Sequence, residues 1–79
     1  MGSRDHPAVH ARYEHVAEKL RAAIVRGRLR PGARLPSERA LAEEFSVSRA
    51  TIVSALQLLR RERLIETRRG AGSWVRRRS

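Results

Sequence analysis

From about Ala11 to Arg26, apolar residues fall at Tyr13, Val16, Ala17, Leu20, Ala23 and Ile24. Intervals of three and four put them on one stripe of a helix, and Gly27 marks its C-terminal end. Residues 1–10 carry no such period and are expected to be a disordered N-terminal segment, with Met1-Gly2-Ser3 a loose or appended terminus. Arg30-Pro31-Gly32-Ala33 reads as a turn, and Leu35 as a position that pairs briefly as a strand. Pro36-Ser37-Glu38 opens a second helix, with the Ser37 hydroxyl as cap and Glu38 at the positive end of the dipole. That helix runs to about Phe45, with Leu41, Ala42 and Phe45 on its buried side. Ser48 caps a third helix, Arg49 to about Arg63, whose stripe is Ile52, Ala55, Leu56 and Leu59. Leu64 to Thr67 reads as a strand, Arg68 to Gly72 as a glycine-hinged turn, and Ser73 to Arg76 as the returning strand.

The second and third helices are separated only by Ser46-Val47-Ser48, so they cross steeply, as in a helix-turn-helix. The order helix, short strand, helix-turn-helix, hairpin defines a mainly α fold with a small β-hairpin: a winged helix-turn-helix of three helices and a two- to three-stranded wing. Residues 11–76 form this domain, and residues 77–79 begin a linker.

Composition narrows the function. The chain has 79 residues and a net charge of +10, from eighteen basic and eight acidic side chains. Lys19 is the single lysine. No segment is apolar enough to span a bilayer, and the chain has no cysteine, which excludes disulfides and cysteine-zinc sites. The arginine excess points to a polyanion, nucleic acid first. The charge is uneven: residues 1–33 are net +4, residues 34–59 neutral, and residues 60–79 net +6. The balanced middle must fold and present something specific.

The run Leu35-Pro36-Ser37-Glu38-Arg39-x-Leu41-Ala42, then Val47-Ser48-Arg49-x-Thr51-Ile52, Ala55-Leu56, Leu64-Ile65 and Arg69-Gly70-x-Gly72, resembles the DNA-binding domain of GntR-family bacterial transcriptional regulators. The resemblance covers about residues 12–76 without a gap. It implies operator binding and, in the family, a larger C-terminal domain that binds an effector and dimerises. The 79 residues read as an excised N-terminal domain or a single-domain relative. Ser46 stands where the family commonly has Gly, and Val53 where the third helix often carries a second Arg. Were Ser46 to take a positive φ, it would cost roughly 1 kcal/mol relative to Gly.

A recognition helix enters the major groove by its N-terminal end. There Arg49 can grip a guanine edge or clamp a phosphate, and Ala50 lets the helix approach, with its methyl toward a thymine methyl. Ser48, Thr51 and Ser37 offer hydroxyls to phosphate. Arg39 either reaches DNA, as the resemblance implies, or pairs with Glu43 one turn on. Arg68, Arg69, Gly70 and Gly72 form the wing, where glycines permit close backbone approach and arginines suit a narrow minor groove. Trp74 and Val75 are expected to pack onto the first or third helix, although Trp74 could also stack on a base. His6, His10 and His15 lack the companions of a metal site, so no metal or cofactor is expected. The carboxylates are scattered and no His activates a Ser, so no catalytic set is expected either.

The sequence therefore reads as a cytoplasmic, non-enzymatic module for a two-fold double-stranded DNA operator, most simply a repressor's. The alternative is a winged helix for RNA or protein contact. The isolated domain is expected to be monomeric, because its apolar stripes are consumed internally. A full-length parent would be a homodimer with its effector on the absent domain. A membrane surface is not an expected partner.

Overall fold

The computed structural model describes the backbone of residues 5–77 and the side chains of residues 12–77. Three helices come first: α1 (Asp5–Val25), α2 (Glu38–Phe45) and α3 (Arg49–Arg61). Strands β1 (Ile65–Arg68) and β2 (Gly72–Val75) then form an antiparallel hairpin, with Ile65 opposite Val75 and Arg68 opposite Gly72. The expected third strand is a stub. Arg34 makes an isolated bridge to Trp74, flanked by bonds from Gly32 N–H to Val75 O, Val75 N–H to Ala33 O and Leu35 N–H to Ser73 O, each 2.8 Å.

One boundary differs clearly from the expectation. Helix α1 begins at Asp5, not near Ala11, so residues 5–10 are helical rather than disordered. Pro7 is no obstacle there. In the first turn its missing N–H has no intrahelical acceptor to lose. Met1-Gly2-Ser3 and the last two linker residues lie outside the described residues.

The interior is built from the expected stripes. Val16, Ala17 and Leu20 of α1 meet Ile52, Ala55, Leu56 and Leu59 of α3, and Leu35, Leu41, Ile65 and Val75 close the core. Tyr13, Ile24, Phe45, Val47 and Leu64 pack half-buried around it. Each large side chain buried this way contributes about 1.5–3 kcal/mol. At the rim, Arg21 of α1 donates twice to Glu62, Nε to Oε1 at 2.9 Å and Nη2 to Oε2 at 2.8 Å. That pairing raises the Arg21 pKa above its ordinary value.

All three helices end alike. Gly27, Ser46 and Arg63 sit in the left-handed region, at φ 82°, 56° and 63°. At each end one N–H reaches back five residues: Arg28 to Ala23, Val47 to Ala42 and Leu64 to Leu59. This Schellman geometry satisfies the last carbonyls and swings the next apolar residue back onto the helix. It also explains why α3 stops at Arg61 rather than near Arg63. The chain must reverse for Leu64 and Ile65 to face the core. Only the first of the three sites has glycine.

Candidate nucleic-acid interface

The start of α2 and the start of α3 are fixed by their caps. Ser37 Oγ accepts the Ala40 N–H at 3.0 Å, and Ser48 Oγ accepts the Thr51 N–H at 3.1 Å. Both cap residues are extended, as the motif requires. Ser48 Oγ and Thr51 Oγ1 also share a hydrogen bond of 3.0 Å, and Thr51 is only 9% exposed. Thr51 therefore offers less surface than the sequence suggests, with its hydroxyl held by the cap. Ala50 and Arg49 are exposed.

Arg49 Nη2 lies 3.2 Å from Glu38 Oε1, across the turn between the two helices. The sequence alone gives Glu38 only a role at the helix dipole. Its partner is eleven residues away, and no local pattern announces the pair. Arg39 adopts the second of its two expected arrangements, and loosely: its Nε is 3.9 Å from Glu43 Oε2, with both side chains open to solvent. Such pairs contribute a few tenths of a kcal/mol and yield readily to a phosphate.

The hairpin tip turns at Arg69-Gly70-Ala71, closed by the Ala71 N–H to the Arg68 carbonyl at 3.0 Å. Gly70 and Gly72 take φ of 72° and 116°. The tip faces the two helix starts across a groove of about 630 Å³. Ser37, Arg39, Arg49, Arg68, Arg69, Gly70 and Gly72 all line it. Ser48, Ala50 and Thr51 do not. Arg34, which the sequence does not single out, lines it too, so five arginines face one glutamate, Glu38. Such a concave surface concentrates positive potential where a phosphate backbone could lie.

Trp74 is half-buried and is not among the side chains packed on the core. Period-two alternation sends Val75 into the core and Trp74 to the opposite face of the hairpin, where the guanidinium carbons of Arg34 and Arg68 lie 5.6 and 5.4 Å from the ring centroid. The side chains of His6 and His10 lie outside the described residues, and His15 is exposed. Among the described residues no helix is long and apolar enough to cross a membrane.

Comparison with known proteins gives this geometry a family. The repressor MngR of Escherichia coli K12, of the mannosyl-D-glycerate transport and metabolism system, is 43% identical over 63 residues, which are 80% of this chain and 26% of MngR. The repressor NagR of Bacillus subtilis 168 is 41% identical over the same share of this chain and 26% of its own length. The chain thus spans about a quarter of these relatives. Among solved structures, the AraR DNA-binding domain in complex with operator ORX1 superposes with a TM-score of 0.79 at 33% identity, over 81% of this chain and 77% of that one. The family model for bacterial regulatory proteins of the gntR family matches residues 12–75, and the chain belongs to that family.

Proposed function

We propose that the chain binds duplex DNA sequence-specifically, as the operator-recognition domain of a cytoplasmic bacterial repressor. The observation that carries this reading is the groove in which the starts of α2 and α3 face an arginine-rich wing. Helix α3 enters the major groove by its N-terminus. Arg49 offers its fork to a guanine edge, steadied by Glu38, while Ala50 allows close approach. Ser37, Arg39 and Ser48 engage phosphates, and Thr51 supports Ser48. Arg68 and Arg69, with the backbone at Gly70 and Gly72, follow the adjacent minor groove. The AraR domain's complex with its operator supports the reading. Two copies would occupy adjacent half-sites of a two-fold operator.

Selection from a pool of random duplexes, followed by titration of the recovered sequence against salt, tests this. About three to five charged contacts per domain give a slope of log K against log salt of about −3 to −4.5. A slope near −1, or no sequence recovered above background, refutes it.

A further inference from the structure

We propose that Arg34 is a positioning residue that locks the wing tip at a fixed distance from the helix starts before DNA arrives. The inference rests on the DNA-binding reading above and adds a determinant that the signature motifs do not contain.

Four observations converge on this side chain. Its Nη2 donates to the Ala71 carbonyl at the wing tip, at 2.8 Å. Its guanidinium lies over the Trp74 ring, which Arg68 also contacts. Its backbone bridges Trp74. Gly72 leaves it a corridor, since a Cβ there would stand 3.0 Å from the Arg34 Nε and 3.2 Å from Nη2.

The tip by itself is weakly determined. It carries one turn hydrogen bond and two glycines at positive φ. Arg34 ties its carbonyl to the stub at 32–35, which is bonded to β2 and leads through buried Leu35 to the Ser37 cap. The lock therefore connects the two parts of the groove that must meet one duplex at once. The same Trp74 ring carries Arg68, whose guanidinium carbon lies 5.4 Å from its centroid. A planar guanidinium can stack on the ring and donate in its own plane at the same time, which an ammonium cannot do.

Arg34→Lys separates this role from a plain phosphate contact, because it keeps the charge and loses the stack and fork. Trp74→Leu removes the ring and keeps both arginines. Two readouts are needed. One is the heteronuclear NOE of the Gly70, Ala71 and Gly72 amides in the DNA-free protein. The other is affinity for the duplex recovered by selection, with its salt slope. Both variants should loosen the tip amides and weaken binding about tenfold, roughly the factor for refreezing one backbone residue on binding. The salt slope of Arg34→Lys should stay at the wild-type value. A tip that stays ordered in both variants overturns the lock. A tip that loosens with affinity unchanged overturns its role in positioning. Weakened binding by Arg34→Lys with an ordered tip makes Arg34 a direct contact instead, and also overturns the proposal. Failure of the wild-type chain to bind duplex sinks the DNA-binding reading itself, which the variants alone cannot do.

Discussion

Replacing Ser46 by glycine should stabilise the domain. Ser46 ends α2 at φ 56° and ψ 47°, close to the ideal left-handed helix. Its N–H contacts the carbonyls of Ala42 and Glu43, so the conformation is held by the turn and cannot relax. An L-residue there is strained by about 1–2 kcal/mol, because Cβ crowds the following carbonyl. Glycine removes that strain but gives the unfolded chain about 0.4–1 kcal/mol more conformational entropy. The balance is a gain of about 0.5–1 kcal/mol. For a domain of this size that raises Tm by about 2–8 °C. Guanidinium denaturation followed by far-UV circular dichroism reads the change directly, with the slope m expected to stay constant. Gly27→Ala is the internal control. It places a methyl group at φ 82°, with open space around it, so it carries the same balance of backbone strain and unfolded-chain entropy with the sign reversed and should lose about 0.5–1 kcal/mol. Operator affinity of Ser46→Gly should match the wild type, because the path between α2 and α3 is unchanged. A Ser46→Gly protein no more stable than wild type, alongside a destabilised Gly27→Ala, would refute the strain argument at this site.

The other expectations concern contacts. Arg49→Ala should cost about 1–3 kcal/mol on the selected operator and much less on random duplex, whereas Arg69→Ala should weaken both similarly and make the salt slope shallower. Equal losses on both DNAs for Arg49→Ala would make it a phosphate clamp. Glu62→Gln should lower stability by about 0.5–1 kcal/mol, at the upper end for a solvent-screened pair because the contact is bidentate, and thermal melts in low and high salt should converge. Ile52→Ala, at a fully buried position, should cost about 2–5 kcal/mol and leave much of so small a domain unfolded at ambient temperature, as circular dichroism would show. Sedimentation of the DNA-free chain should give a monomer; a tight dimer would show that an apolar surface had been misassigned.

What the sequence makes legible is the part governed by short-range rules. Ser37 and Ser48 cap as expected, because a serine before an apolar period satisfies orphan N–H groups within three residues. Gly27 closes α1, and the buried stripes follow their intervals. The N-terminal extension of α1 is not legible, since helical backbone there brings no apolar period with it. The left-handed turn at Arg63 is hidden because arginine does not announce that conformation. It is imposed by the need to return Leu64 to the core. The site divides in the same way. The motif residues are read from their spacing. The pairing of Arg49 with Glu38 and the placement of Arg34 over Trp74 depend on how separate segments come together. Trp74 itself defies its expected placement because a strand residue's face depends on register, and Val75 takes the inward position.

The contact between Arg34 and Ala71 spans 37 positions of the chain, about as many as the 41 between Arg21 of α1 and Glu62 beyond α3. The two closures therefore demand similar chain entropy, but docking α1 on α3 buries most of the apolar core, whereas the wing's return is a few hydrogen bonds and one cation–π contact. The wing should therefore dock after the helices have collapsed, and be absent from the rate-limiting ensemble. Lesions in this bridge would then accelerate the unfolding limb of a chevron and leave the refolding limb nearly untouched. The same hierarchy makes the hairpin the region whose amides exchange through local opening rather than global unfolding. The domain would thus meet DNA with its wing closed in nearly every copy, while the hairpin opens and recloses briefly many times for each global unfolding of the helical body.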